Sequence, residues 1–341
     1  MPEGSLPLRA TMDSELTTAL PQGPTPTSAT VVSIGTHSLS YTVTGPSLDP
    51  FDPLVMIFPG AGDVASSYIA VERLLRPFTR TLLYNRSGLG RSTTSPVKAD
   101  STAQYQGQAV TAARDLSTLL EHARINTPLI LLAHSYGAIV AREFLHLHPE
   151  RVVGMVLVDA STERASEFFK VPDENIGAVM GTLSYARATG LRSQTVLSAD
   201  EWRVRAKEII ASLDGAAVEA GSFHEVCETL KCKQQFEKQA LGNRPLSVIR
   251  ANTASDYEAI YEKGVAAGNG TEGQRRAFRE LLDRWDGIDG MLQGEQLWLS
   301  ANTRFVRLED CGHNVHLVRP DVIAEEVRWV RDRVNAASPN I

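Results

Sequence analysis

Short apolar runs recur along the chain and alternate with stretches whose apolar positions follow a helical period. LVMIFPG (54–60), PLILLAH (128–134), VVGMVLVDA (152–160) and PLSVIRA (245–251) are near-continuous apolar segments of strand length. Each is bounded by Gly, Pro or polar residues, the pattern of strands buried on both faces. TRTLLYNR (79–86) and TRFVRLED (303–310) read as two further strands, and TVVSIG with HSLSYTVTG (30–45) as an opening hairpin. SYIAVERLLRP, the segment around 103–124, residues 136–148 and the closing PDVIAEEVRWVRDRV read as helices.

Buried strands alternating with helices predict an α/β fold: a mostly parallel eight-stranded sheet flanked by helices. The alternation breaks over residues 163–243, which read as helices without an apolar strand. That stretch is too long for a plain loop, and we expect a helical lid or cap over the carboxyl edge of the sheet, where open α/β sheets bind ligands. Residues 252–302 also read as helical. The expected organisation is a mobile tail over 1–29, rich in Pro, Thr and Ser, a core formed by 30–162 and 244–341, and a cap over 163–243. No internal repeat is visible.

Composition narrows the partners. Of 341 residues, 43% are hydrophobic and 22% charged, with a net charge of −6. Lys and Arg are scattered, which argues against a nucleic-acid face. No apolar run approaches the roughly 18 residues of a membrane span, and the N-terminal residues lack a signal-peptide layout, so a cytoplasmic location is expected. Cys227, Cys232 and Cys311 are too few for a disulfide framework. The spacing of His224, Cys227 and Cys232 has no second ligand pair and does not support zinc. No metal or cofactor is expected, and the oligomeric state is not legible.

The chemistry is expected where a buried strand meets a helix in LLAHSYGAIV (131–140). Ser135 sits in A-x-S-x-G, with small residues on either side that permit a sharp turn exposing one hydroxyl. The following helix turns its positive end toward that serine. A serine nucleophile needs a base, and His313 in LEDCGHNVHLVRP follows the last strand. His134 precedes the serine and should point elsewhere, His146 and His148 end a helix, and His316 reads as a packing or solvated residue. In FPGAGD the chain leaves a strand through a glycine-flanked turn, so the N–H groups of Ala61 and Tyr136 are the candidate oxyanion donors.

With these landmarks in order (FPGAG, YNRSGLGRS, AHSYGA, and CGHNVH followed by RPDVIAEEV) the chain resembles α/β-hydrolase-fold proteins over about residues 30–335. It departs from the pattern at Pro59, where a histidine is usual, at Asn85, where an aspartate is usual, and at Ala133, where the first elbow glycine is usual. The resemblance implies an acid after a strand that follows the serine, and two residues fit. Asp159 ends the strand beside the nucleophile strand. Asp256 lies after the next strand, but Asn252-Thr253-Ala254-Ser255 intervene. Asp159 is preferred, with Asp256 as the alternative.

The expected activity is a serine-dependent hydrolase acting on an ester, lactone or thioester of a small or medium organic molecule. Two other readings stand beside it. The same residues could serve a C–C bond lyase or cyclase in a biosynthetic pathway, or the fold could serve as a ligand-binding receptor. Phe168 and Phe169, close after the Asp159 strand, are the expected substrate-pocket walls, and the turn 85–93 is expected to brace the site.

Overall fold

The structure is a computed structural model and describes residues 29–46, 52–95 and 107–337. The expectation for the tail over 1–29 therefore lies, apart from Ala29, outside the described residues.

Eight strands form one sheet: β1 (Thr30–Ser33), β2 (Ser38–Thr44), β3 (Leu54–Phe58), β4 (Thr81–Tyr84), β5 (Leu129–His134), β6 (Val152–Val158), β7 (Leu246–Arg250) and β8 (Thr303–Arg307). Their spatial order is β1-β2-β4-β3-β5-β6-β7-β8. β2 runs antiparallel to β1 and β4, and every other pairing is parallel. The eight strands read from the sequence are the eight observed.

The continuous apolar runs resolve into two alternating faces. Leu54, Met56 and Phe58 of β3, with Leu129 and Leu131 of β5, face one hydrophobic core. Val55, Ile57, Ile130 and Leu132 face the other. Helices α1 (Ile69–Leu75) and, near the end of the described chain, Pro320–Ala337 cover the second face, whereas α2 (Gln108–His122) and α3 (Gly137–Leu147) cover the first. Each fully buried aliphatic side chain contributes roughly 1.5–3 kcal/mol, so the central strands β3 and β5, buried at every position, are the rigid part of the scaffold.

Residues 163–243 carry six helices and no named strand: α4 (Glu174–Met180), α5 (Tyr185–Ala188), α6 (Leu191–Gln194), α7 (Ala199–Ala211), α8 (Leu213–Gly221) and α9 (Phe223–Lys231). After β7 come α10 (Thr253–Ala266) and α11 (Glu272–Glu295); α12 (Val315–Val318) and α13 (Pro320–Ala337) follow β8. The start of α7 is set by a capping box between Ser198 and Glu201, and that of α11 by one between Thr271 and Gln274. Phe278, Leu282 and Trp285 recur at helical spacing on α11 and pack with Val179 of α4, Ala188 of α5 and Ile260 of α10 in a small core of their own. Two of the six helices before β7, α4 and α5, thus share a small core with α10 and α11 after it.

Candidate active site

The turn between β5 and α3 places Ser135 in the left-handed region, at φ +52°, which costs a non-glycine residue about 1–3 kcal/mol. Backbone bonds hold it there. The Ser135 N–H donates to the Val158 carbonyl at 3.2 Å, and its own carbonyl accepts from Ala138 and Ser161. Glycine at 137 is required by close approach, since a Cβ there would stand 2.3 Å from the Phe58 carbonyl oxygen. Ser135 lines a cavity of about 380 Å³ at the carboxyl edge of the sheet. Its Oγ has no hydrogen-bond partner among the described residues; contacts of this kind often close only with substrate bound.

His313 lines the same cavity, between β8 and α12. Its Nδ1–H donates to Asp159 Oδ2 at 2.6 Å, which leaves Nε2 as the basic nitrogen. Asp159, at φ +42° just past β6, also accepts from the Ala251 N–H at 3.0 Å and from the Thr253 hydroxyl. Burial opposes ionisation of Asp159, but these three donors outweigh it and hold its carboxyl below the usual range. Burial likewise opposes the imidazolium, yet the Asp159 hydrogen bond and charge raise the His313 pKa above the ordinary histidine value.

The alternative acid goes elsewhere. Asp256, in the first turn of α10, accepts the main-chain N–H of His313 and the Tyr185 hydroxyl, each at 2.8 Å. It grips the backbone of His313 and not its ring. Both ring nitrogens of His134 are engaged by groups other than Ser135. Its Nε2–H donates to the His313 carbonyl at 2.9 Å, so its Nδ1 accepts from the Tyr68 hydroxyl, also at 2.9 Å. That hydroxyl in turn accepts the Gly60 N–H at 3.0 Å. A single chain of hydrogen bonds therefore runs from the turn after β3 to the His313 loop. His316 is fully buried rather than solvated, stacked on Tyr68 at 4.2 Å.

Ala61 and Tyr136 both border the cavity, and neither N–H has an acceptor among the described residues. Tyr136 is buried, where a backbone donor seldom goes unpaired, whereas Ala61 is exposed; both line the cavity with Ser135. The turn 85–93 lies under this corner. Asn85 accepts the Ala65 N–H at 2.8 Å and donates to Ser40, which an amide at this position can do and a carboxylate cannot.

One wall of the cavity is aromatic: Phe169, Tyr257 and Trp285, with Tyr257 and Trp285 stacked at 4.3 Å and Phe169 4.6 Å from Trp285. Phe169 is where it was expected. Phe168 is not, because the backbone turns its ring out of the cavity, under the Arg164 guanidinium at 5.6 Å and toward a separate groove with Phe278. Sequence reasoning placed both walls beside Asp159 and missed Tyr257 and Asp289 on the far side; the stripe Phe278–Leu282–Trp285 was the available signal. Asp289 hydrogen-bonds Arg250 Nε at 2.7 Å. Its carboxyl is pushed up to about 6, by burial first and by the Asp159 charge second.

One buried group of described residues has metal-ligating side chains: Asp63, His134 and His316, with donor atoms within 4.8 Å of one another. Both ring nitrogens of His134 are already engaged by Tyr68 and the His313 carbonyl. The cluster's other two members pair with each other, His316 Nε2 standing 3.2 Å from Asp63 Oδ2. The three cysteines are free thiols, and Cys227 and Cys311 are buried. No described helix is long and apolar enough to cross a membrane.

The comparisons agree with this architecture. Residues 54–326 match the model of the alpha/beta hydrolase family. A protein of Gibberella zeae named an AB hydrolase superfamily protein is 28% identical over 295 residues, covering 84% of this chain and 88% of that one. A protein of Hormonema carpetanum named probable transporter efuK is 30% identical over 311 residues; the match takes in 90% of this chain but 43% of that protein. Among solved structures, a putative lipase from Acinetobacter baumannii superposes with a TM-score of 0.63 at 14% identity, covering 91% and 92% of the two chains. A putative ancestral haloalkane dehalogenase gives 0.61 at 15% identity, covering 90% and 100%. With the matched segment spanning most of its length and all eight strands in place, the chain belongs to the alpha/beta hydrolase family.

Proposed function

We propose that this hydrolase cleaves a carboxylic ester, lactone or thioester of a small or medium organic substrate through an acyl-enzyme on Ser135. One observation carries the reading: Ser135, the Asp159-bound His313 ring and the two unpaired N–H groups of Ala61 and Tyr136 border one cavity. Ser135 also stands where displacement of a halide or opening of an epoxide would call for a carboxylate.

In this mechanism His313 Nε2 takes the Ser135 proton as Oγ attacks the substrate carbonyl carbon. The carbonyl electron pair moves to oxygen, and the Ala61 and Tyr136 N–H groups stabilise that oxyanion. Collapse expels the leaving group, which receives the proton from His313. Water, deprotonated by the same nitrogen, then attacks the acyl carbon and returns Ser135. Asp159 stays ionised throughout, holding the tautomer and stabilising the imidazolium. The helices of 163–243, together with α10 and α11, act as a lid over the acyl or alcohol portion, and the aromatic wall favours an apolar or flat group there.

Labelling with a fluorophosphonate probe, followed by peptide mapping, tests the assignment. An adduct on Ser135 that is lost in Ser135→Ala supports it. A folded wild-type protein that forms no adduct, or one elsewhere that persists in the variant, overturns it.

A further inference from the structure

The peptide that presents the Ala61 N–H is held by two side chains to which the reaction gives no part. Arg86, just past β4, donates through Nη2 to the Gly60 carbonyl at 2.6 Å and through Nη1 to the Pro59 carbonyl at 2.7 Å. In a trans peptide the carbonyl and the following N–H point in opposite directions. Fixing the Gly60 carbonyl therefore fixes the aim of the Ala61 N–H. On the other side of Ala61, the Gly62 N–H donates to Glu219 Oε2 at 2.7 Å. Glu219 also receives Arg86 Nε at 2.5 Å and Nη2 at 2.9 Å.

Glu219 belongs to α8, and the way that helix sits is unusual. α7 has no buried residue, and the one buried residue of α8 is Glu219 itself. The ion-paired side chains are 2% and 4% exposed. A helix whose sole buried side chain is a carboxylate is not seated by hydrophobic burial, and a buried ion pair is weak evidence for stability as such. The contact is nonetheless close: a Cβ on Gly62 would come within 2.5 Å of the Ala216 Cβ. Burial works against the Arg86 cation, but the charge and hydrogen bonds of Glu219 outweigh it and keep the guanidinium protonated.

The geometry points to Arg86 and Glu219 as positioning residues of the oxyanion loop: Arg86 aims the Ala61 N–H, and Glu219 makes that aim depend on α8 being docked. This rests on the serine-hydrolase reading above. It makes the lid part of the oxyanion machinery, so that an undocked α8 leaves the loop without its second grip even while Ser135, His313 and Asp159 stay in place.

The test compares wild type, Glu219→Gln and Arg86→Met by amide hydrogen exchange and by turnover of p-nitrophenyl butyrate. Loss of one oxyanion donor lowers kcat about 10²-fold, and Arg86→Met is expected to approach that. Glu219→Gln keeps an acceptor for Gly62 but not the charge, and about a tenfold loss is expected, with KM within about twofold. The pH midpoint of kcat/KM should not move, because neither variant touches His313. Exchange in the segment 59–64 should rise about tenfold in Glu219→Gln while the sheet stays protected. If Arg86→Met does not fold, the double variant Arg86→Met/Glu219→Leu removes both buried charges and takes its place. Unchanged exchange over 59–64, or exchange that rises evenly through the whole chain, overturns the proposal. A wild-type protein without a Ser135 adduct overturns the reading beneath it, and the exchange result still decides whether the pair holds the loop.

Discussion

Asp256 accepts the main-chain N–H of His313 at 2.8 Å, so the residue whose ring is held by one aspartate has its backbone held by another. Gly312 makes this possible, because a Cβ there would stand 2.3 Å from Asp256 Oδ1. Gly312→Ala is expected to displace the Asp256 carboxylate, lower stability by about 1–3 kcal/mol as overpacking does, and lower kcat more than it changes KM. Adding Asp256→Ala should relieve the clash. Recovery of the melting temperature without full recovery of kcat is the expected pattern in the double variant. A Gly312→Ala protein with wild-type melting and turnover would contradict it.

The pH behaviour of the His313–Asp159 pair follows from the direction of each shift. Only neutral His313 can act as base, so activity rises as pH climbs through a value above the usual 6.5. Asp159→Asn removes the partner that raises that value. The acid limb should then move to lower pH while kcat falls by about 10⁴. Stability runs the other way. The raised His313 contributes fully below about 6.5 and loses its contribution as pH rises through the folded value, whereas the lowered Asp159 contributes above about 3.9 and loses its contribution as pH falls through its folded value. The pair therefore stabilises most between roughly pH 4 and 6.5. Urea titrations of wild type and Asp159→Asn across pH 4–9 would show the difference narrowing toward alkaline pH, and a widening difference would refute the assignment.

Adjacent phenylalanines should differ in effect. Phe169 borders the cavity and touches Trp285, while Phe168 lies outside it. Phe169→Ala is expected to raise KM for a phenyl-bearing ester several-fold, consistent with about 1 kcal/mol for a lost aromatic pair. Phe168→Ala should leave KM within about twofold. Equal effects from the two variants would place the wall elsewhere.

Far from the chemistry, Arg142 of α3 is fully buried against Glu163 and Gln235. Removing one member strands the other charge, so Arg142→Met is expected to destabilise by about 3–5 kcal/mol in urea unfolding. Replacing both, as Arg142→Met/Glu163→Leu, should recover most of that. A single variant within about 1 kcal/mol of wild type would mean that water reaches Glu163.

Much of this was legible in the residues themselves. The eight strands could be read because burial on both faces leaves continuous apolar runs, and the Ser135 turn because a short motif sits between a strand and a helix. His313 and Asp159 were legible from their places after β8 and β6. Asp256 was ambiguous because its distance from β7 gave no hint that α10 would bring it to a backbone N–H rather than to a ring. Glu219 was not legible at all: it lies 157 residues beyond the Gly62 that it holds, and nothing in the local pattern distinguishes its carboxylate from the solvated ones around it. Tyr257 and Trp285 could not be read as cavity walls for a related reason, since the aromatic wall combines residues from two stretches that only the tertiary fold unites.

The proposed nucleophile and base also hang from unequal parts of the sheet. Ser135 leaves β5, which is buried at every position and flanked on both sides, whereas His313 follows β8, an edge strand with a single neighbour and alternate residues open to solvent. Edges of a sheet fray at lower free energy than centres. On warming, the histidine would leave its station while the serine's turn was still intact, so thermal inactivation should run ahead of thermal unfolding, and on cooling the returning edge would restore activity without refolding the centre.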